Sequence, residues 1–323
     1  MIISASRRTD IPAFYGDWLL RRLREGYVLV RHPYNPLQVS RVSLHPQVVD
    51  CIVFWTKNPA PLLPKLPEIA RLGYRFLVQF TLNDYDHTLE PGLPPLHKRL
   101  ATFQQLAEQI GPDRVLWRFD PIVFTQSHGP DAVLGSFAQL AGQLRFLTRQ
   151  CTLSFLSLYA KCRRNLVNVA LVEPELQEKV RFVHQLSALA QDNGISLKAC
   201  CDTFLHEQGG IEAGRCIDPD LIANIIGQPL VIPKDKGQRP GCGCAASIDI
   251  GAYSTCPHGC CYCYANVSLE RVRVNRQAHH PDSPFLIGTL TGRERITERG
   301  VQSCRRLQKE LFSSLSPPER ARG

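Results

Sequence analysis

Six short apolar runs, rich in β-branched and aromatic residues, recur at intervals before residue 205, and they constrain the fold more than any other feature. They are 2–6 (IISAS), 51–56 (CIVFWT), 75–82 (RFLVQFTL), 115–119 (VLWRF), 152–159 (TLSFLSLY) and 195–200 (ISLKAC). Each has strand rather than helix length and ends in turn or charged residues, which reads as a buried strand. Between them lie segments of helical period: FYGDWLLRRLREG, PAPLLPKLPEIARLG, LHKRLATFQQLAEQIG, DAVLGSFAQLAGQLRFLTRQ and PELQEKVRFVHQLSALAQDNG. Several of these close on Gly or Asn-Gly, the usual helix stops. Regular alternation of strand and helix predicts an α/β fold, with a parallel sheet and right-handed crossovers. Such a sheet is either a partial barrel or an open doubly wound layer.

Polar residues follow the strands closely. Arg7, Arg8, Thr9 and Asp10 come after the first run, Thr56, Lys57 and Asn58 end the second, and Thr81 and Asn83 end the third. Arg118 and Asp120 mark the end of the fourth, and Tyr159 and Lys161 that of the fifth. In a barrel all of these face one mouth, where barrel enzymes keep their chemistry. Each alone fits a cap or a solvated charge. As a set, Arg7, Arg8, Asp10, Lys57, Arg118 and Asp120 predict a substrate or cofactor pocket.

Beyond residue 205 the composition changes. The stretch 200–266 is rich in Gly, Pro and Cys, with one clear helix (DPDLIANIIG) and few long apolar runs. A metal centre replaces missing core in segments of this kind. The expected organisation is a partial β/α barrel over 1–205, then a cysteine-rich segment and a helical tail packed on the barrel mouth over 206–323.

Thirteen cysteines are present, and nine of them fall between Cys200 and Cys263. Met1 is followed by IISASRRTDIPAF, which has no basic and apolar leader pattern, and no stretch reaches the length of a membrane span. We therefore expect a cytoplasmic protein without a membrane partner. In a reducing compartment its cysteines serve as core residues, metal ligands or redox groups rather than disulfides. The net charge of +9 favours an anionic partner, a small molecule or nucleic acid.

The densest group is TCPHGCCYCYAN, 255–266. Cys256, Cys260 and Cys263 have the spacing C-x3-C-x2-C, which lets three thiolates hold a cubic iron–sulfur cluster and leaves one iron without a protein ligand. A zinc site, which usually takes four ligands in two pairs, is the competing reading of the same cysteines. The motif, with Tyr262 before the last cysteine, resembles that of the radical S-adenosylmethionine superfamily, and YCYA looks like the variant found in spore photoproduct lyase and its relatives.

That resemblance implies a [4Fe-4S] cluster on Cys256, Cys260 and Cys263. It also implies S-adenosylmethionine on the open iron, Tyr262 against the adenine, a 5′-deoxyadenosyl radical, and a reductant such as flavodoxin or ferredoxin. Superfamily members usually carry the motif after the first barrel strand, whereas here the strands precede it. The resemblance therefore implies a permuted (β/α)6-type partial barrel in which the C-terminal segment folds back to the mouth. The ending QR..C.C...DIG.Y..C..GC.YCYAN is similar to that of an uncharacterised bacterial family, known as a domain of unknown function.

Upstream, Cys242 and Cys244 form a C-x-C pair, with Cys216 and either Cys200 or Cys201 as partners for an auxiliary metal centre, a second [4Fe-4S] cluster or zinc. The same cysteines also fit a thiol-lined core. His258, within the cysteine loop, is expected to donate to a cluster sulfide. The YCYA resemblance, with the positive charge, implies a lyase or a nucleic-acid repair or modification role. The alternative function is a metal-stabilised nucleic-acid-binding protein without radical catalysis, marked by steep salt dependence.

Overall fold

The computed structural model describes residues 1–239 and 241–306, without the side chain of Lys161. Among the described residues there are ten strands: β1 (Ile2–Ala5), β2 (Tyr27–His32), β3 (Asn35–Ser43), β4 (Cys51–Thr56), β5 (Phe76–Thr81), β6 (Val115–Ile122), β7 (Gln150–Phe155), β8 (Ser196–Ala199), β9 (Ile248–Asp249) and β10 (Arg295–Glu298). The helices are α1 (Ile11–Phe14), α2 (Gly16–Glu25), α3 (Leu66–Arg71), α4 (Leu96–Ile110), α5 (Pro130–Leu144), α6 (Ala160–Asn165), α7 (Leu176–Asp192), α8 (Thr203–Glu207), α9 (Pro219–Ile226) and α10 (Leu269–Gln277).

The six expected strands form β1 and β4 to β8. Joined by β9, they make a seven-stranded sheet in the order β8-β7-β6-β5-β4-β1-β9. Every pairing in it is parallel. The order steps outward from β1 in one direction, as successive right-handed crossovers require, and β9 takes the opposite edge.

Side-chain alternation sorts the two faces. Ile3, Ile52, Phe54, Val78, Phe80, Val115, Trp117 and Phe119 join the main core, where α2, α4, α5 and α7 contribute Trp18, Leu19, Phe103, Leu106, Phe137, Leu140, Phe182 and Leu186. Ile2, Cys51, Val53, Leu77 and Leu116 point to the other face, against Cys216, Ile217, Ile222, Cys244 and Ala245. Each large aliphatic or aromatic side chain so buried contributes about 1.5–3 kcal/mol. The cysteine-rich segment is thus the cover of one sheet face, built on α9, whose N-cap Asp218 accepts from Asp220 N and whose helix ends on left-handed Gly227.

Three strands lie outside the expected set besides β9. β2 and β3 form an antiparallel hairpin, and β10 pairs in parallel with β3. Both sheets therefore draw a strand from beyond residue 205. The helical tail expected on the mouth takes a different form. α10 packs beside the cysteine loop, with Asn275 Nδ2 donating to Ser254 O at 2.9 Å, but 295–298 is extended. The chain then reaches the other end of the sheet, where Cys304 N donates to Asp50 Oδ2 at 2.7 Å, just before β4 begins. Alternating RITE suits a strand once β3 offers an unpaired edge, which local sequence does not reveal. The rest of the expected tail, 307–323, lies outside the described residues. No helix among the described residues is long and apolar enough to cross a membrane.

Candidate functional site at the carboxyl ends of the strands

A cavity of about 550 Å³ opens at the carboxyl ends of the parallel strands. Its walls come from the segments after β1 (Arg7, Arg8, Asp10), β4 (Lys57) and β8 (Cys200, Cys201), with Thr56 from the end of β4 and Arg118 and Asp120 from β6 itself. Ligand sites of parallel α/β sheets lie at this end, because loops and helix N-termini converge there. All six expected pocket residues line it, whereas Asn58 and Asn83 do not.

The cysteine loop enters the same cavity, where Cys256, Cys260 and Cys263 all lie in the wall. β9 carries the chain there. Asp249, at its end, accepts from Ser4 Oγ (3.0 Å), Ser6 Oγ (2.6 Å) and Arg7 N (2.8 Å), tying the C-terminal segment to the loop after β1. Gly251 follows at a point where a Cβ would fall 2.1 Å from Ser6 Oγ. Asp249 is a site residue that sequence reasoning missed; its only signal was the polar Asp of the DIG triplet after an apolar run.

Asp10 and His258 form the second tie. Asp10 caps α1, its Oδ1 accepting from Ala13 N at 2.9 Å, while Oδ2 accepts from Lys57 N at 2.8 Å and contacts His258 Nε2 at 2.9 Å. His258 Nδ1 lies 3.4 Å from Gly92 O, and Gly92 N donates to His258 O at 2.8 Å. Both imidazole nitrogens are therefore engaged within the protein, so the expected donation from the ring to a cluster sulfide gives way to loop anchoring.

Lys57 Nζ lies 2.8 Å from both Glu90 Oε1 and Tyr262 OH, and Tyr262 OH donates to Glu90 Oε1. Arg99 Nη1 stands 3.6 Å from Glu90 Oε2. Tyr262 borders the cavity with its hydroxyl committed to this buried cluster and its ring edge-on to Tyr85 at 6.2 Å. Burial, then the Glu90 charge, push its hydroxyl well above the ordinary tyrosine range. Glu90 was not foreseen, since it lies in a loop with no motif around it.

Burial pushes the Cys256 thiol well up, and Asp10 and the other two thiols add to the shift. Cys260 is also raised by burial, with Lys57 pulling the other way. Its neighbour Cys261 faces elsewhere, donating to Thr88 O at 3.1 Å.

The upstream cysteines line the same cavity. Cys200 Sγ and Cys216 Sγ are 3.1 Å apart, and Cys242 and Cys244 pack in the same cluster. It is Cys200, rather than Cys201, that meets Cys216. Hydrogen bonds from Cys200 and Cys244, with the Arg118 guanidinium 3.1 Å away, hold the Cys216 thiol well below its ordinary value despite burial. The hydrogen bond with Cys244 brings Cys242 down to about 6. Cys200 and Cys244 are raised as the partners that keep their protons. As they stand, no three His, Cys, Asp or Glu side chains among the described residues are grouped to hold a metal ion.

Between the two thiol sets, Arg118 pairs with Asp120, and its guanidinium lies 5.3 Å from the Trp55 ring centroid. Arg7 lies 4.9 Å from the same ring, and its Nη2 is buried without a hydrogen-bond partner.

Among solved structures, the chain is similar at 11% identity, with a TM-score of 0.27, to the pneumococcal exo-β-D-N-acetylglucosaminidase StrH, which has tandem GH20 catalytic modules. The match covers 76% of this chain, and the chain spans 61% of that one. No curated protein matches the chain. A family model does match, over residues 2–265, from β1 through both cysteine sets, and the chain belongs to the family described as Domain of unknown function (DUF1848).

Proposed function

We propose that the protein is a radical S-adenosylmethionine enzyme acting on an anionic substrate. The observation that carries this reading is the arrival of Cys256, Cys260 and Cys263 in the wall of the cavity at the carboxyl ends of the parallel strands. We read the sheet as a partial (β/α)6 barrel from β1 and β4 to β8, with β9 returning the cysteine loop to its mouth.

The donor set fits a [4Fe-4S] cluster. Three thiols line one cavity, and the Ala265 amide donates to Cys263 Sγ at 3.4 Å. N–H donors of this kind stabilise thiolate ligands. Such a cluster, when bound, supplies the electron that cleaves S-adenosylmethionine to methionine and a 5′-deoxyadenosyl radical. The chain's own part is to position and to enclose. Asp10 and His258 lock the cysteine loop to α1, while Asp249 locks the approach to β1. The Lys57–Glu90–Tyr262 cluster closes the wall beside Cys260. Arg7 offers an unpartnered buried N–H, suited to the carboxylate of S-adenosylmethionine or to an anionic group of the substrate.

The test is anaerobic reconstitution, reduction with dithionite and chromatographic detection of 5′-deoxyadenosine. Cys256→Ala, Cys260→Ala and Cys263→Ala are each expected to abolish the product. Cys261→Ala, which loses only the contact with Thr88, is expected to keep it. Fully iron-loaded protein that forms no 5′-deoxyadenosine, with or without cell-extract metabolites as substrate, would overturn the reading.

A further inference from the structure

We propose that Cys200, Cys216, Cys242 and Cys244 are the ligands of a second, thiophilic metal centre in the wall of the same cavity. This stands apart from the radical reading and does not require it. The four residues come from separate places in the chain: the end of β8, the segment before α9, and the Cys-Gly-Cys turn. Folding packs them together on one face of the sheet, where Cys200 Sγ and Cys216 Sγ lie 3.1 Å apart and Cys242 and Cys244 share the same cluster and the same cavity wall.

Three features around the cluster suit a metal centre. Cys242 and Cys244 are separated by Gly243 alone, so one short turn presents two sulfurs beside Cys216. Arg118, buried at 6% exposure, donates to Cys216 Sγ at 3.1 Å. A buried guanidinium requires negative partners, and four thiolates around a divalent cation carry a net charge of −2. Finally, the cysteines belong to the cluster that covers the sheet's second face. Cys216 and Cys244 themselves take core positions beside Ile217 and Ile222, where a metal cross-link supplies cohesion that a small core lacks.

Zinc binding balances simply: four thiols release their protons to solvent as the cation takes the sulfurs. In the structure the four sulfurs are not gathered around one point. Loss of the proton shared by Cys200 and Cys216 removes the hydrogen bond between them, and the proposal requires side-chain rotation to bring the four sulfurs about a common centre. An iron–sulfur cluster would use the same four ligands, and metal analysis separates the two cases.

The experiment compares Cys242→Ser/Cys244→Ser with Cys256→Ala/Cys260→Ala/Cys263→Ala, both purified anaerobically, by elemental analysis of zinc, iron and sulfide per chain. The triple variant is expected to retain one metal centre that the double variant lacks. Loss of metal from the triple variant alone, with the double variant equal to the parent, would refute the second centre while leaving the first. If the double variant does not fold, native-state alkylation of the parent replaces it. The four thiols are expected to be protected until a chelator is added and to react afterwards. Reaction before chelation would equally overturn the proposal.

Discussion

Replacing Gly92 with Ala tests whether the cysteine loop is held as tightly as its contacts require. A Cβ at Gly92 would lie 2.6 Å from His258 O, against 3.4 Å where ordinary contact begins, a shortfall of 0.8 Å. The obstructing atom is backbone, with His258 C and Cα each 2.9 Å away, so no side-chain rotation relieves the clash. Two segments must part, and His258 moves with the ring that contacts Asp10 at 2.9 Å.

Overpacking of this kind costs about 1–3 kcal/mol. Stretching the Gly92 N–H bond to His258 O costs roughly another 0.5–1.5 kcal/mol, and the stiffer unfolded chain returns about 0.4–1 kcal/mol. The net expectation is about 2 kcal/mol. At roughly 2–4 °C for each kcal/mol, the Tm falls by about 4–8 °C. Since a displacement near 1 Å at a reacting centre costs about 10²-fold in rate, 5′-deoxyadenosine formation should fall by about that factor. Differential scanning calorimetry and the product assay read the two effects separately. A Tm within 1 °C of the parent, by the ~1 °C reproducibility such a scan needs to resolve about 0.3 kcal/mol, would refute the tight apposition.

Gly135→Ala and Gly142→Ala lie within α5, and a Cβ at either meets nothing within 4 Å, so each should raise stability by about 0.5–1 kcal/mol in denaturant titrations; destabilisation by either would contradict their open surroundings. Tyr15 is pushed up to about 12, by burial first, and its hydroxyl donates to Thr255 O at 2.6 Å. The folded state holds this proton between pH 10 and 12, where the unfolded chain releases it, so stability present below pH 10 is lost as pH rises towards 12. The loss is about 3 kcal/mol. Tyr15→Phe should be about 1 kcal/mol less stable at neutral pH and decline less steeply above pH 10; parallel pH profiles would show that Tyr15 ionises freely.

Much of the sheet was legible in the sequence because its signal is local. Runs such as CIVFWT and VLWRF announce strands by composition and length, and the helices between them leave few ways to connect parallel strands. The motif cysteines were legible for a similar reason, since Cys256, Cys260 and Cys263 sit within one short loop. The hairpin of β2 and β3 was masked by the basic residues around YVLVRH, and β10 by its charged ends, because a strand that finds its partner only in three dimensions needs little hydrophobic signal of its own.

What tertiary structure alone decided is how the two ends of the chain meet. Two residues of β9 pairing with β1 set the sheet edge, and their contacts span more than 240 positions of sequence, as in the Ser6–Asp249 hydrogen bond. The Asp10–His258 contact, the enclosure of Lys57 by Glu90 and Tyr262, and the gathering of Cys200, Cys216, Cys242 and Cys244 arise in the same way. Side-chain chemistry and short spacings can be read along the chain. Which groups desolvate one another cannot, because the electrostatics of a buried carboxylate, guanidinium or thiol depend on neighbours that only the folded backbone brings within a few ångströms.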